Sequence, residues 1–194
     1  MEGLIFIPDI SGFTNFVKNI EINDGVSITR ELLSEIIDNN PLNLELSEIE
    51  GDALLFYKIG KPIPLNTVLD GFYQIYEAFD RKYKSLKVKY NVDIELSLKF
   101  ILHYGEMSIY DIKGFRKLYG QTIIESHRLL KNGSNNSNYI LITEDYIRAL
   151  NSSGTSARED EIGPFFSQFF SDLREIGYYF LNDFSGPTLA LKSA

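Results

Sequence analysis

Two acidic positions in this chain stand where a carboxylate could do more than solvate a surface. Asp9 closes an apolar run, Gly3 to Ile10, and is followed at once by Ser11-Gly12 and by helical spacing of Phe13, Phe16 and Val17. A carboxylate there lies beside the free backbone N–H groups of a helix start. That pairing can hold a metal-bound polyphosphate, the acid binding the cation and the amides binding phosphate oxygens. The same residue types also suit plain helix capping by Asp9 or Ser11. Asp52 sits in Glu50-Gly51-Asp52, between the strand-like runs Leu42 to Ile49 and Ala53 to Lys58. An acid in a hairpin turn is ordinarily solvated. Brought beside Asp9, it would instead form a carboxylate pair that repels unless a cation joins it, which favours a divalent ion.

Positioning these groups requires strands that end together. The periodicity predicts a buried strand over Gly3 to Ile10, a helix opening at Phe13, and a second helix over Ser27 to Ile37 with Ile28, Leu32, Leu33 and Ile36 on one stripe. The hairpin around Gly51 follows. A long helix then spans about Asn66 to Tyr90, and Asp93 to Tyr104 alternates as a strand. Gly120 opens a helix from about Gln121 to Lys131, and Asn132 to Asn138 is a polar loop. Tyr139 to Ile142 reads as a strand, Glu144 to Leu150 as a helix, Phe165 to Phe170 as an aromatic helix and Ile176 to Leu181 as a last strand. This order predicts an α+β protein with a ferredoxin-like, antiparallel or mixed sheet and helices packed on one side.

Composition removes several classes of function. With 27 acidic against 19 basic residues and a net charge of −8, the chain lacks the basic balance expected of a nucleic-acid binder. The absence of cysteine excludes disulfides, zinc-thiolate sites and a cysteine nucleophile. Neither histidine, His103 or His127, stands in a ligand-spaced cluster, so no zinc site is expected. No apolar stretch approaches a membrane span and the N-terminus lacks the features of a signal peptide, so a cytoplasmic chain is expected. No linker divides it, so residues 1–194 are expected to form one domain.

Phe6-Ile7-Pro8-Asp9-Ile10-Ser11-Gly12-Phe13-Thr14 resembles the opening metal motif of class III adenylyl and guanylyl cyclases. Glu48-Ile49-Glu50-Gly51-Asp52-Ala53 resembles their second, hairpin motif, and His103-Tyr104-Gly105-Glu106 their His-x-Gly strand end. Leu118 to Thr122 with Ser126-His127-Arg128-Leu129 is similar to the segment that carries the family's catalytic arginine. The resemblance covers about Leu4 to Leu150, and the part from 151 to 194 diverges. The His127 to Asn132 run, His-Arg-Leu-Leu-Lys-Asn, is similar to a divergent, uncharacterised bacterial branch.

The resemblance implies that Asp9 and Asp52, with the Ile10 carbonyl, bind two Mg²⁺ or Mn²⁺ ions. It implies that the amides of Ser11, Gly12, Phe13 and Thr14 cradle a triphosphate, and that Arg128 stabilises charge at the α-phosphate. Glu48 and Lys117 fall on the base-reading positions. A carboxylate that accepts from guanine N1–H and an ammonium that donates to O6 favour GTP over ATP. The alternative is a surface pair between Glu48 and Lys117. In the family the metal ligands and the arginine come from different subunits, which implies a homodimer. Two departures oppose catalysis: Ile124 stands where the family has an asparagine, and its triphosphate lysine has no match within Ile176 to Ala194, Lys192 being a poor substitute. The expected function is therefore a purine nucleotide cyclase or, alternatively, a degenerate cyclase-like module that binds a nucleotide or dimerises to regulate a partner.

Overall fold

The computed structural model of the chain describes residues 1–131, 138–155 and 162–182. The first half contains β1 (Glu2–Ser11), α1 (Phe13–Asn19), α2 (Ile22–Asp38), β2 (Glu45–Glu50), β3 (Ala53–Ile59) and α3 (Leu65–Tyr90). The second contains β4 (Ser97–Glu106), β5 (Ser108–Ile112), β6 (Phe115–Tyr119), α4 (Gln121–Leu129), β7 (Tyr139–Thr143), α5 (Glu144–Ser152), β8 (Phe165–Phe169) and β9 (Glu175–Asn182).

One mixed sheet of seven strands runs β2-β3-β1-β4-β7-β9-β8, and β5 and β6 form a separate hairpin. The β4–β7 pair is parallel, while β1 lies antiparallel to both β3 and β4. The expected α+β class and mixed sheet are thus what the chain adopts. β1 is central because Leu4 to Ile7 are apolar on both faces of the strand and all buried. Leu4 and Phe6 join the core under α1, α2, α3 and α5, where Phe6, Phe72 and Phe100 stack at 4.6–5.6 Å. Ile5 and Ile7 face a second core with Met107, Leu118, Ile123 and Leu129. The helices are therefore not confined to one side: α4 and the β5–β6 hairpin cover part of the opposite face.

Several boundaries and one element type differ from the periodicity. α2 begins at Ile22 rather than Ser27, because the Glu21 carboxylate caps it, accepting from the amides of Asn23 (2.8 Å) and Asp24 (3.1 Å). The stretch 93–96 stays outside β4, and the Tyr83 hydroxyl donates to the Ile94 carbonyl there (2.5 Å). The aromatic segment expected as a helix is the strand β8. Its Phe165 and Phe166 pair across the ladder with Tyr179 and Tyr178, with ring centroids at 5.2 and 6.1 Å. Such cross-strand aromatic pairs outweigh the ambiguous periodicity of a five-residue run. The polar loop expected over 132–138 lies outside the described residues except for Asn138. Among the described residues no helix is long and apolar enough to cross a membrane.

Candidate functional site

The sheet register brings Asp9 and Asp52 together. In β1, Asp9 lies opposite Ala53 of β3 on one side and Lys99 of β4 on the other. Asp52 immediately precedes β3, and its carbonyl accepts from the Ile10 amide (3.4 Å). Both carboxylates open into a cleft of about 840 Å³ that is also bordered by Ser11 to Asn15, Glu50, Lys99 and His127. Burial, then the charge of Asp9 and a hydrogen bond shared with it, pushes the Asp52 carboxyl up to about 7. The Lys99 ammonium lies 3.0 Å from Asp9 Oδ2 and donates to the Leu130 carbonyl at 3.4 Å.

The helix start beside the pair is open. Gly12 has φ +88°, and a Cβ there would lie 2.6 Å from the Glu95 carbonyl oxygen, so only glycine makes this turn. No side chain caps α1, so the reading of Asp9 or Ser11 as a helix cap does not hold. Ser11, Gly12, Phe13 and Thr14 all border the cleft, as does Ile10, whose side chain is buried in the core while its backbone reaches the cleft. These donors fit a hard divalent cation. Two carboxylates and a peptide carbonyl are all-oxygen ligands, and burial, then the charge of Asp9, already raises the Asp52 carboxyl that a cation would relieve.

The remaining site residues stand elsewhere. Glu48 and Lys117 form an ion pair between β2 and β6. Arg128 is half-exposed at the end of α4 and pairs with Asp172, Nη2 to Oδ2, at 2.5 Å. It does not border the cleft of its own chain. Ile124, one turn earlier, is 51% exposed, so the two share an outward face of α4.

The His103 strand end serves a different purpose. A Cβ at Gly105 would lie 2.6 Å from Thr122 Oγ1, so glycine lets α4 pack onto β4. His103 is buried between Thr143 Oγ1 and Glu125 Oε2, both at 2.9 Å. Glu125 also receives Gln121 (2.8 Å) and a two-pronged contact from Arg174 (2.6 and 2.9 Å), while Arg174 reaches Asp145 at 2.7 Å. Burial would raise the Glu125 carboxyl, but the hydrogen bonds from His103, Arg174 and Gln121 hold it down to about 2. This network borders a second cleft, of about 540 Å³.

Two cleft residues escaped the sequence reading, Lys99 and His127. No local pattern marks them, although Lys99 stands four residues before His103 and His127 directly precedes Arg128. Only the β1–β4 register and the docking of α4 turn them toward Asp9 and Glu50.

The fold is the one seen in solved nucleotidyl cyclase domains. The guanylyl cyclase Cya2 superposes with a TM-score of 0.70 at 11% identity, over 92% of this chain and 90% of that one. The adenylyl cyclase CyaB from P. aeruginosa superposes with a TM-score of 0.66 at 12% identity, over 94% of each chain. The guanylate cyclase domain of RhGC from Catenaria anguillulae, solved in complex with GTP, gives 0.61 at 14% identity, over 93% of this chain and 96% of that one. At these identities the likeness is one of fold. By sequence, residues 29–139 match the family described as "Protein of unknown function (DUF2652)", and the chain belongs to that family. The "Uncharacterized protein Rv2561/Rv2562" of Mycobacterium tuberculosis is 29% identical over 130 residues, 63% of this chain and 60% of that protein's length.

Proposed function

We propose that this chain is a nucleotide cyclase-type domain that binds a purine nucleoside triphosphate, GTP in preference to ATP, and forms a 3′,5′-cyclic nucleotide. The observation that carries this reading is the convergence of Asp9 and Asp52 in one cleft, beside a helix start that no side chain caps. Asp9, Asp52 and the Ile10 carbonyl would hold Mg²⁺ or Mn²⁺, which when bound neutralises phosphate charge and polarises the phosphoryl oxygens.

The chain's own residues have separate tasks. Amides from Ser11 to Thr14 donate to phosphate oxygens, and Lys99, once released from Asp9, adds positive charge from the floor of the same cleft. Glu48 accepts from guanine N1–H and the amino group, and Lys117 donates to O6. The 3′-hydroxyl oxygen attacks the α-phosphorus, its proton passes to solvent, and the bond to the β-phosphate oxygen breaks to release pyrophosphate. Arg128 stabilises the charge that develops at the α-phosphate. Because it faces away from its own chain's cleft, it acts on that of a second copy, which makes the working unit a homodimer in which each cleft is completed by the partner. The Arg128–Asp172 pair is exposed and worth under about 1 kcal/mol, so it yields readily to a phosphate.

A second reading is favoured by Ile124. Its exposed alkyl side chain cannot orient a ribose, and without that contact the domain would bind nucleotide and dimerise without turnover. Incubation with Mn²⁺ and each of ATP, GTP, CTP and UTP, beside an Asp9→Ala control, separates the two. A cyclic nucleotide that disappears in the control is the expected outcome. Absence of product from all four with a dimer present overturns catalysis and leaves the binding module, provided that GTP with metal still raises the melting temperature.

A further inference from the structure

The fold gathers a histidine and two carboxylates, of which His127 and Glu50 border the cleft and Glu48 lies beside them, with no metal-ligand spacing in the chain. We propose that Glu48, Glu50 and His127 form a separate cation site for a borderline transition ion of the Zn²⁺ class. The ion uses the Glu48 carboxylate that the cyclase reading gives to guanine, but the inference does not require that reading.

Glu48 and Glu50 alternate along β2 and so share one face, and His127 approaches them from α4. A ligand atom from each of the three lies within 4.8 Å of the other two. His127 Nδ1 stands 3.5 Å from Glu50 Oε2. That is longer than an ordinary hydrogen bond, so the two groups do not close on one another. It is close to the roughly 3.4 Å edge of a tetrahedron whose metal–ligand bonds are about 2.1 Å. An imidazole nitrogen with carboxylate oxygens suits Zn²⁺ or Mn²⁺ and disfavours Mg²⁺, in contrast to the all-oxygen Asp9–Asp52 pair.

Charge points the same way. The fold's other histidine-centred cluster, His103 with Glu125 and Asp145, is already filled by its own cation, the Arg174 guanidinium at 2.6–2.9 Å from both carboxylates. Glu50 has no such partner: among the described residues no lysine or arginine ion-pairs with it. Lys117 ion-pairs with Glu48 and lies within electrostatic reach of Glu50, so a bound cation takes the other Glu48 oxygen or displaces the ammonium.

The chain has only two histidines, which makes the test direct. The full chain, labelled with ¹⁵N-histidine, is titrated with Zn²⁺ and separately with Mg²⁺ while the imidazole nitrogens are followed by NMR. Zn²⁺ is expected to shift the His127 nitrogens at one equivalent and to leave buried His103 in place, while Mg²⁺ moves neither. The response should survive in an Asp9→Asn, Asp52→Asn variant, and Glu50→Gln should weaken it on the order of tenfold or more. The His103 signals report whether each variant is folded. If the double variant fails that check, wild-type chain saturated with Mg²⁺ before Zn²⁺ is added replaces it. The proposal falls if His127 does not respond, if Glu50→Gln leaves the Zn²⁺ affinity unchanged, or if blocking the aspartate pair abolishes the response.

Discussion

Asp52 is a carboxyl whose ordinary value is 3.8, held at about 7 by burial and by Asp9. Between those values the folded chain binds a proton that the unfolded chain has lost, so stability falls as pH rises through the window from about 4 to 7. Replacing Asp52 by Asn removes that cost. After allowance for the solvent at the cleft mouth, the metal-free variant should exceed wild type by about 1–2 kcal/mol at pH 8 and by close to nothing at pH 4, read from thermal melts. Added Mg²⁺ should erase the difference by stabilising wild type alone. Asp9 and Asp52 were legible in the sequence because each stands beside local punctuation, a glycine turn or a hairpin tip. Lys99 and His127 were not, because their roles depend on a strand register and a helix docking that no local pattern encodes.

Among the elements, the contacts around Glu125 hold the most at stake. They join α4, β4, α5 and the turn before β9 through a carboxylate that is almost fully buried. Removing one partner of such a pair strands a charge, so Arg174→Met should cost about 3 kcal/mol in denaturant unfolding. Glu125 is held below its ordinary 4.5, so its contribution is complete above that value and is lost as pH falls toward about 2. Arg174→Met should accordingly lose part of the acid sensitivity that wild type shows between about pH 4.5 and 2, the His103 and Gln121 hydrogen bonds keeping the rest. The amphipathic stripes of α2 and α3 were readable because burial enforces a helical period. The strand β8 was not: five mostly aromatic residues fit either period, and the deciding contacts come from Tyr178 and Tyr179 further along the chain.

For the whole molecule, the distribution of exposed apolar groups bears on assembly. Ile112, Phe115 and Tyr119 on the β5–β6 hairpin are exposed, Phe115 and Tyr119 by 71% and 72%, and Ile124 is exposed on the helix that follows. Exposed apolar side chains gathered on neighbouring elements are the kind of surface that a partner covers. If the patch joins two copies, Phe115→Asp with Ile124→Asp should yield a monomer by light scattering, with the melting temperature little changed and any cyclase activity abolished. A dimer that survives both changes would place the contact elsewhere. The dimer was suggested by resemblance to a family rather than by periodicity, since a surface residue carries no pattern that a partner imposes.

The central position of β1 has a consequence for biosynthesis. Glu2 pairs with Glu106, so the strand made first cannot gain its β4 neighbour until about a hundred further residues have emerged. Pairings so distant in sequence form slowly. Meanwhile β1, whose residues Leu4 to Ile7 become buried on both faces, has the β2–β3 hairpin and α1 to α3 beside it but neither β4 nor the cover that α4 gives Ile5 and Ile7. Ribosome-bound chains halted before Ser97 should remain protease-sensitive and engage chaperones, and those extended past β7 should resist digestion.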